Sequence, residues 1–267
     1  MTELDRDTRW AYGVSASAWA AGPERVYRHL AAALMRAAPI PIADALLLDV
    51  GAGTGVLADV ATGMGARCVE IDVAAAMLAR PRPDRPRRAV AADGRRLPFA
   101  DATFTAVTAG CSLSHVDDPD RMLREIRRVL RPGGAVLAST FPASGTSHPV
   151  RACVEGVLEE FGYRRAPWYR RLSTVREAQV DRPEALTALA VTAQFTQASA
   201  RTVTVDTGIA APEQLVDYRL GVAQHAEFLA ALDAAGRRTI RSTAIARLGD
   251  DPPPLVIDLL VLSAVAV

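Results

Sequence analysis

The chain changes rhythm twice. Between residues 45 and 141, short apolar runs are separated by turns and amphipathic stretches. ALLLDV (45–50), RCVEIDV (67–73), RRAVAAD (87–93), FTAVTAG (104–110) and AVLASTF (135–141) have the length and composition of buried strands. Val56 to Met64 predicts a short helix, and Ala74 to Ala79 opens one that Pro81, Pro83 and Pro86 cut short. DDPDRMLREIRRVL (117–130) puts Met122, Ile126, Val129 and Leu130 on one helical face, with Asp118 as cap, Pro119 in the first turn and RPGG (131–134) as the stop. Strands alternating with helices predict an α/β fold, a parallel sheet covered on both faces.

Outside this stretch the pattern loosens. Residues 1–22 mix polar and aromatic side chains (Trp10, Tyr12, Trp19) without a clear period, whereas Val26, Leu30, Ala33, Leu34 and Ala37 predict a helix over 23–37. Residues 142–181 read as two helices rich in Tyr, Trp and Arg, and 182–194 as another. ARTVTVDT (200–207) alternates as a strand does. Over 212–247, Leu215, Tyr218, Val222, His225, Leu229 and Leu232 recur by three and four as a helical stripe. LVIDLLVLSAVAV (255–267) is a final strand.

Composition narrows the function classes. The 267 residues are 50% hydrophobic and carry a net charge of +1, from 31 basic and 30 acidic residues. That balance gives no field that favours nucleic acid or an anionic membrane. Cys68, Cys111 and Cys153 are widely spaced and form no C-x-x-C, which argues against disulfides and zinc and suits a reducing cytoplasm. The start is too polar for a signal peptide, and the longest apolar stretch, 259–267, is too short to span a bilayer. The basic, Pro-rich RPRPDRPRR (80–88) reads as a solvated loop.

The chemistry concentrates in LLLDVGAGTG (46–55), where Gly51, Gly53 and Gly55 follow the first strand. A glycine-rich strand-to-helix turn lets a ligand approach the main chain and can point N–H groups at it. A dinucleotide fingerprint needs G-x-G-x-x-G, but position 56 is Val. Asp49, two residues before the first glycine, is unsuited to a pyrophosphate and suited to an ammonium group. Asp72 ends the second strand, where it can accept both ribose hydroxyls. Asp93 ends the third and, with the N–H groups after it, can read an adenine amino group. Three acids along one sheet edge describe a phosphate-free nucleoside joined to an amino acid, as in S-adenosylmethionine.

These blocks, with VEIDVAAAML, AADGRRLPFADATFTAV and SLSHVDDPDRMLREIRRVLRPGGAVLAS, resemble the class I S-adenosylmethionine-dependent methyltransferases, in particular the small-molecule group similar to ubiquinone and menaquinone C-methyltransferases. The match runs from about 46 to 141. The resemblance implies a three-layer, Rossmann-like, seven-stranded sheet whose last strand is antiparallel, with 200–207 as strand six and 255–266 as strand seven. It divides the chain into a core (about 40–141, 182–207 and 254–267) and helical lid elements (about 1–37, 142–181 and 208–250) of one domain. It places Asp49, Gly51, Ala52 and Gly53 at the methionine end of the cofactor, Asp72, Val73 and Met77 beside the ribose and adenosine, and Asp93 and Gly94 against the adenine. Ala109 and Gly110 approach the sulfonium, and Tyr12 belongs to a segment that closes over the cofactor. The product is S-adenosylhomocysteine.

The expected reaction is methyl transfer to a small, hydrophobic or aromatic metabolite through an O, N or C acceptor, in a biosynthetic pathway. His115, after the fourth strand, is the candidate base. His148, Tyr218 and His225 are candidate substrate contacts. The aromatic and basic residues Tyr163, Trp168, Tyr169, Arg164, Arg165, Arg170 and Arg171 read as mixed surface and core, with a pocket for an aromatic or acidic substrate as the alternative. No metal-ligand cluster is visible. The expected partners are a small molecule, neither nucleic acid nor membrane, and the sequence allows a homodimer. One competing reading keeps the cofactor but catalyses a cyclisation or rearrangement without methyl transfer. Another is a binding module without turnover.

Overall fold

A computed structural model describes residues 2–82, 86–143, 145 and 148–267. The order is α1 (Glu3–Ala21), α2 (Pro23–Met35), β1 (Leu46–Val50), α3 (Val56–Gly63), β2 (Arg67–Asp72), α4 (Ala75–Leu78), β3 (Ala89–Ala91), β4 (Phe104–Gly110), α5 (Pro119–Val129) and β5 (Leu130–Thr140). There follow α6 (Pro149–Glu160), α7 (Pro167–Arg171), α8 (Pro183–Thr192), β6 (Phe195–Asp206), α9 (Pro212–Leu220), α10 (Ala226–Ala231), α11 (Ala234–Leu248) and β7 (Val256–Ala266). The seven strands form one sheet in the order β3-β2-β1-β4-β5-β7-β6. The first five are mutually parallel, and β7 runs antiparallel to both of its neighbours.

Alternation along the strands supplies both faces of the core. Ile257, Leu259 and Val261 of β7 pack with α2, α3, α6, α9 and α11, while Leu260, Leu262 and Ala264 pack with α5 and α8 on the other side. Helix α5 follows the predicted pattern: Asp118 accepts the Arg121 N–H at 2.8 Å, and Met122, Leu123, Ile126 and Val129 are buried. RPGG does not delay the next strand. β5 begins at Leu130 and includes those residues, with Arg131, Pro132 and Gly133 exposed and Gly134 buried. The third strand is shorter than predicted and ends at Ala91, so Asp93 lies two residues beyond it. Prediction and structure also part at residues 1–22, where α1 is a full helix capped by a reciprocal Thr2–Asp5 box.

Helices α1 and α2 dock closely on the end of α9, and two glycines make this possible. A Cβ on Gly22 would lie 2.1 Å from the Asp217 carbonyl oxygen. One on Gly221 would lie 2.4 Å from Pro23 and 2.6 Å from the Ala18 carbonyl oxygen. Gly13, inside α1, has open space around it. We therefore expect Gly22→Ala and Gly221→Ala each to lower the melting temperature. Gly13→Ala should raise stability by about 0.5–1 kcal/mol, as glycine-to-alanine changes in helices do. Thermal unfolding followed by circular dichroism checks both directions.

Candidate functional site

The site opens at the carboxyl ends of β1, β2 and β4. Asp49 is buried at the end of β1, and one of its oxygens accepts the Thr108 hydroxyl at 2.9 Å. The chain then turns through Gly51, Gly53 and Gly55, all in the left-handed region (φ 76°, 55° and 95°) that side chains with a Cβ rarely adopt. At Gly51 a Cβ would also strike the Ser112 side chain at 2.5 Å.

This turn does not form an anion cradle. The Gly51 and Ala52 N–H groups both donate to the Ile71 carbonyl at 2.9 Å, and that of Gly55 to Ala52 at 2.9 Å. The Gly53 N–H donates to the Asp72 carboxylate at 2.8 Å, and the same carboxylate accepts from Ala74 N at 2.8 Å. Donors already engaged within the protein cannot hold a pyrophosphate. The turn instead brings the backbone against the cavity and clamps Asp72 beside it. Burial raises the Asp72 carboxyl above its usual range, although the two N–H groups and Arg87 pull against it.

A cavity of about 190 Å³ runs over this edge. Asp49, Gly51, Ala52, Gly53, Asp72, Val73, Met77, Asp93, Gly94 and Gly110 all border it. Ala109 does not. It is fully buried within β4, and the turn that reaches the cavity is Gly110, Cys111 and Ser112. Cys111 adopts φ 54°, a strained conformation for a residue with a side chain. Burial pushes its thiol up to about 11.

A second cavity, of about 400 Å³, adjoins the first. The two share Tyr12, Trp19, Tyr27 and His115. Tyr12 and Trp19 lie with ring centroids 5.5 Å apart, and Trp19 and Tyr27 4.8 Å apart. The Tyr12 hydroxyl meets His115 Nε2 at 2.9 Å. Burial lowers the His115 imidazole to about 4, helped by the nearby Arg176 guanidinium, so it is neutral at physiological pH. Phe141, Trp168, Tyr169 and Tyr218 border the larger chamber further from the sheet.

A family model described as a methyltransferase domain, Methyltransf_11, matches residues 48–138. The demethylmenaquinone methyltransferase of Mycobacterium marinum is 35% identical over 178 residues, which cover 66% of this chain and 73% of that protein. The chain belongs to the class I S-adenosylmethionine-dependent methyltransferases. Other relatives of the same name are covered over 64% to 50% of their length. Among solved structures, a phosphoethanolamine N-methyltransferase from Haemonchus contortus, in complex with S-adenosylhomocysteine, superposes with a TM-score of 0.56 at 19% identity, covering 89% of this chain and 52% of that one. The 4+2 cyclase SpnF superposes at 0.52 with 21% identity, covering 90% and 80%. At such identities the structures establish the fold alone.

In this methyltransferase several side chains have duties the sequence did not signal. His148 caps α6 by accepting the Val150 N–H at 3.1 Å, and its Nε2 meets the Pro253 carbonyl at 2.8 Å. It borders the chamber with both ring nitrogens engaged. His225 is fully buried, bonded to the Arg219 carbonyl at 2.9 Å and to Gln224 at 3.1 Å, and it borders neither cavity. Its expected substrate contact is therefore not made. Burial lowers it to about 3, with Arg219 adding to the effect. Asp93 does not present its carboxylate alone, because Arg95 holds it at 2.7 Å. Asp117 also pairs with Arg95 instead of capping α5. RPRPDRPRR is not a solvated loop where it is described. Arg87 Nη2 donates to the Gly53 carbonyl at 2.8 Å, and Arg82 Nε to that of Thr54 at 2.6 Å. Residues 83–85 lie outside the described residues. Among the described residues, no cluster of His, Cys, Asp or Glu could hold a metal ion, and no helix is long and apolar enough to cross a membrane.

The residue that sequence reading missed is Asp5. It lies buried on α1, salt-bridged to Arg176 at 2.8 Å and to Arg95 at 3.0 Å. Arg176, itself buried, also donates to the His115 carbonyl at 2.6 Å. Burial alone would raise the Asp5 carboxyl, but the Thr2 N–H and the two guanidiniums outweigh it and hold it at about 2. A carboxyl depressed from 3.8 to about 2 on folding stabilises fully above pH 3.8 and loses that contribution as pH falls toward 2. Asp5→Asn should cost about 1–3 kcal/mol at pH 7, because it leaves the buried Arg176 without a carboxylate while Arg95 keeps Asp93 and Asp117. The gap to the parent should shrink between about pH 4 and pH 2, where the parent carboxyl protonates. Urea unfolding across that range checks it.

Proposed function

We propose that the chain transfers the methyl group of S-adenosylmethionine to a small, largely hydrophobic or aromatic acceptor at O, N or C, as one step of a biosynthetic route. The observation that carries this reading is the pair of adjoining cavities. The cleft over the glycine turn meets a larger aromatic chamber at Tyr12, Trp19, Tyr27 and His115. A quinone-type ring, as named in the demethylmenaquinone methyltransferase relatives, is the kind of flat apolar body such a chamber accommodates.

The cofactor supplies an activated methyl group on a positively charged sulfur. The protein's own residues bind, align and exclude water. Asp49 faces the amino-acid end, and Asp72, already fixed by Gly53 and Ala74, presents its remaining lone pairs to the ribose. Val73 and Met77 line the adenosine side. Gly94 allows close approach there, while Asp93, engaged by Arg95, orders that loop. Gly110 lies nearest the reacting centre. Alignment of this kind is the main source of rate in a direct displacement.

His115 fits a modest role as a base. A neutral imidazole whose conjugate acid has a pKa of about 4 accepts a proton weakly, so it serves an acceptor that is already acidic. Its hydrogen bond to Tyr12 anchors the wall between the cavities.

The deciding measurement is mass spectrometry of extract metabolites after incubation with methyl-labelled S-adenosylmethionine. A product heavier by one labelled methyl supports methyl transfer. An isomerised, unlabelled product supports the rearrangement reading instead. Asp72→Ala should weaken S-adenosylhomocysteine binding at least about tenfold, a loss typical of charge-assisted hydrogen bonds. Unchanged affinity by calorimetry removes Asp72 from the site.

A further inference from the structure

Three arginines border the chamber and, among the described residues, share a single ion-pair partner. Arg151 from α6, Arg165 from the following loop and Arg219 from α9 all border it. All three converge on one carboxylate, Glu155, which borders neither cavity. The separations are 3.2 Å, 3.4 Å and 3.2 Å. These exceed the 2.7–2.9 Å of a well-made guanidinium–carboxylate pair. Elsewhere the chain makes such pairs well: Arg247 grips Glu160 with two bonds of 2.8 Å, and Arg241 grips Asp217 at 2.6 Å and 2.9 Å.

Among the described residues, Glu155 is the one carboxylate within ion-pair distance of these three cations. Arg219 is the most enclosed, with its side chain 12% exposed, and its Nε is buried without a hydrogen-bond partner. Two other carboxylates border the chamber. Asp181 lies 3.4 Å from Arg182, a contact as long as that of Arg165 with Glu155. Glu177 is raised above its usual range by burial, against the pull of Arg151. The guanidiniums also sit by aromatic faces: Arg219 lies 5.7 Å from the Tyr218 ring centroid and Arg165 5.9 Å from that of Tyr169. Planar cations beside rings that border the chamber match a planar acid on an aromatic body.

We propose that the methyl acceptor is an aromatic or polycyclic acid whose carboxylate docks on Arg219, Arg151 and Arg165. Its ring system lies among Tyr218, Tyr169 and Trp168, with the accepting atom turned toward His115. This inference rests on the methyltransferase reading and names the substrate class for it. The carboxylate fills the partnering capacity that Glu155 leaves open and fixes the acceptor's orientation before the methyl group moves.

The test is calorimetric titration of the full chain, saturated with S-adenosylhomocysteine, with 2-naphthoate and with the neutral 2-naphthamide, at low and high salt. The naphthoate should bind about tenfold or more tightly, with an advantage that salt erodes. In Arg219→Gln and in Arg151→Gln the preference should fall to within about twofold, while S-adenosylhomocysteine affinity and the circular dichroism spectrum stay as in the parent. If Arg219→Gln does not fold, Arg151→Gln carries the comparison. Equal binding of the two probes, a preference that survives substitution, or binding of neither probe to cofactor-saturated protein overturns the inference and leaves methyl transfer standing. Failure of the parent to bind S-adenosylhomocysteine overturns the underlying reading, and this proposal with it.

Discussion

The buried carboxylate of Asp5 is the constraint around which the closed site is organised. A charge taken out of water costs several kcal/mol unless it is matched. Asp5 can therefore lie under α1 only if Arg176 and Arg95 are both in place. Those arginines come from distant parts of the chain. Arg95 follows the short third strand and also holds Asp93 and Asp117, while Arg176 belongs to the helical segment after α7 and reaches the His115 carbonyl. One residue thus ties the N-terminal helix to the sheet edge, to the turn after β4 and to the roof.

The rest of α1 follows from that anchor. Held at its first turn, the helix presents Tyr12 to His115, then Trp19 to Tyr27, and ends at Gly22 against α9. The wall between cleft and chamber is built largely from this helix. A wall of this kind shields part of the cleft from water, which suits a reaction whose charge is dispersed in the transition state. The anchor is polar and directional, so closure has a defined geometry, whereas a purely apolar lid can slide.

The sheet and the cleft were legible in the sequence because their signals are local. Runs such as LLLDV and FTAVTAG can be little else than buried strands, and three glycines in five residues announce a backbone bent into left-handed conformations. Helix α1 was not legible because its inward face is Asp5, Thr8, Ala11, Ser15, Ala16 and Trp19. Those positions are spaced as a helix requires, but most are small or polar, so a search for apolar periodicity passes over them. The cue available was the TELD start, where Thr2 and Asp5 form a capping box. His225 failed in the opposite sense. Its place on an apolar stripe suggested a substrate contact, and only the fold reveals that Arg219 and Gln224 absorb both ring nitrogens. The basic run at 80–88 misled because sequence shows charge and not partners. Arg82 and Arg87 spend theirs on carbonyls of the glycine turn and on Glu24 and Glu70.

The two cavities carry opposite electrostatics, and that division bears on how the reaction is aligned. Asp49 and Asp72 border the cleft, with Arg9 and Arg95 elsewhere on its wall, while Arg151, Arg165 and Arg219 border the chamber together with Glu177 and Asp181. A sulfonium is attracted to the first region and repelled by the second. An anionic acceptor has the reverse preference. The shared wall of Tyr12, Trp19, Tyr27 and neutral His115 adds no charge of its own, so it does not blur that boundary. As the methyl group leaves, the sulfur loses its positive charge, so the attraction between the cofactor and the acids of the cleft weakens on the product side. That change favours release of the spent cofactor over its retention.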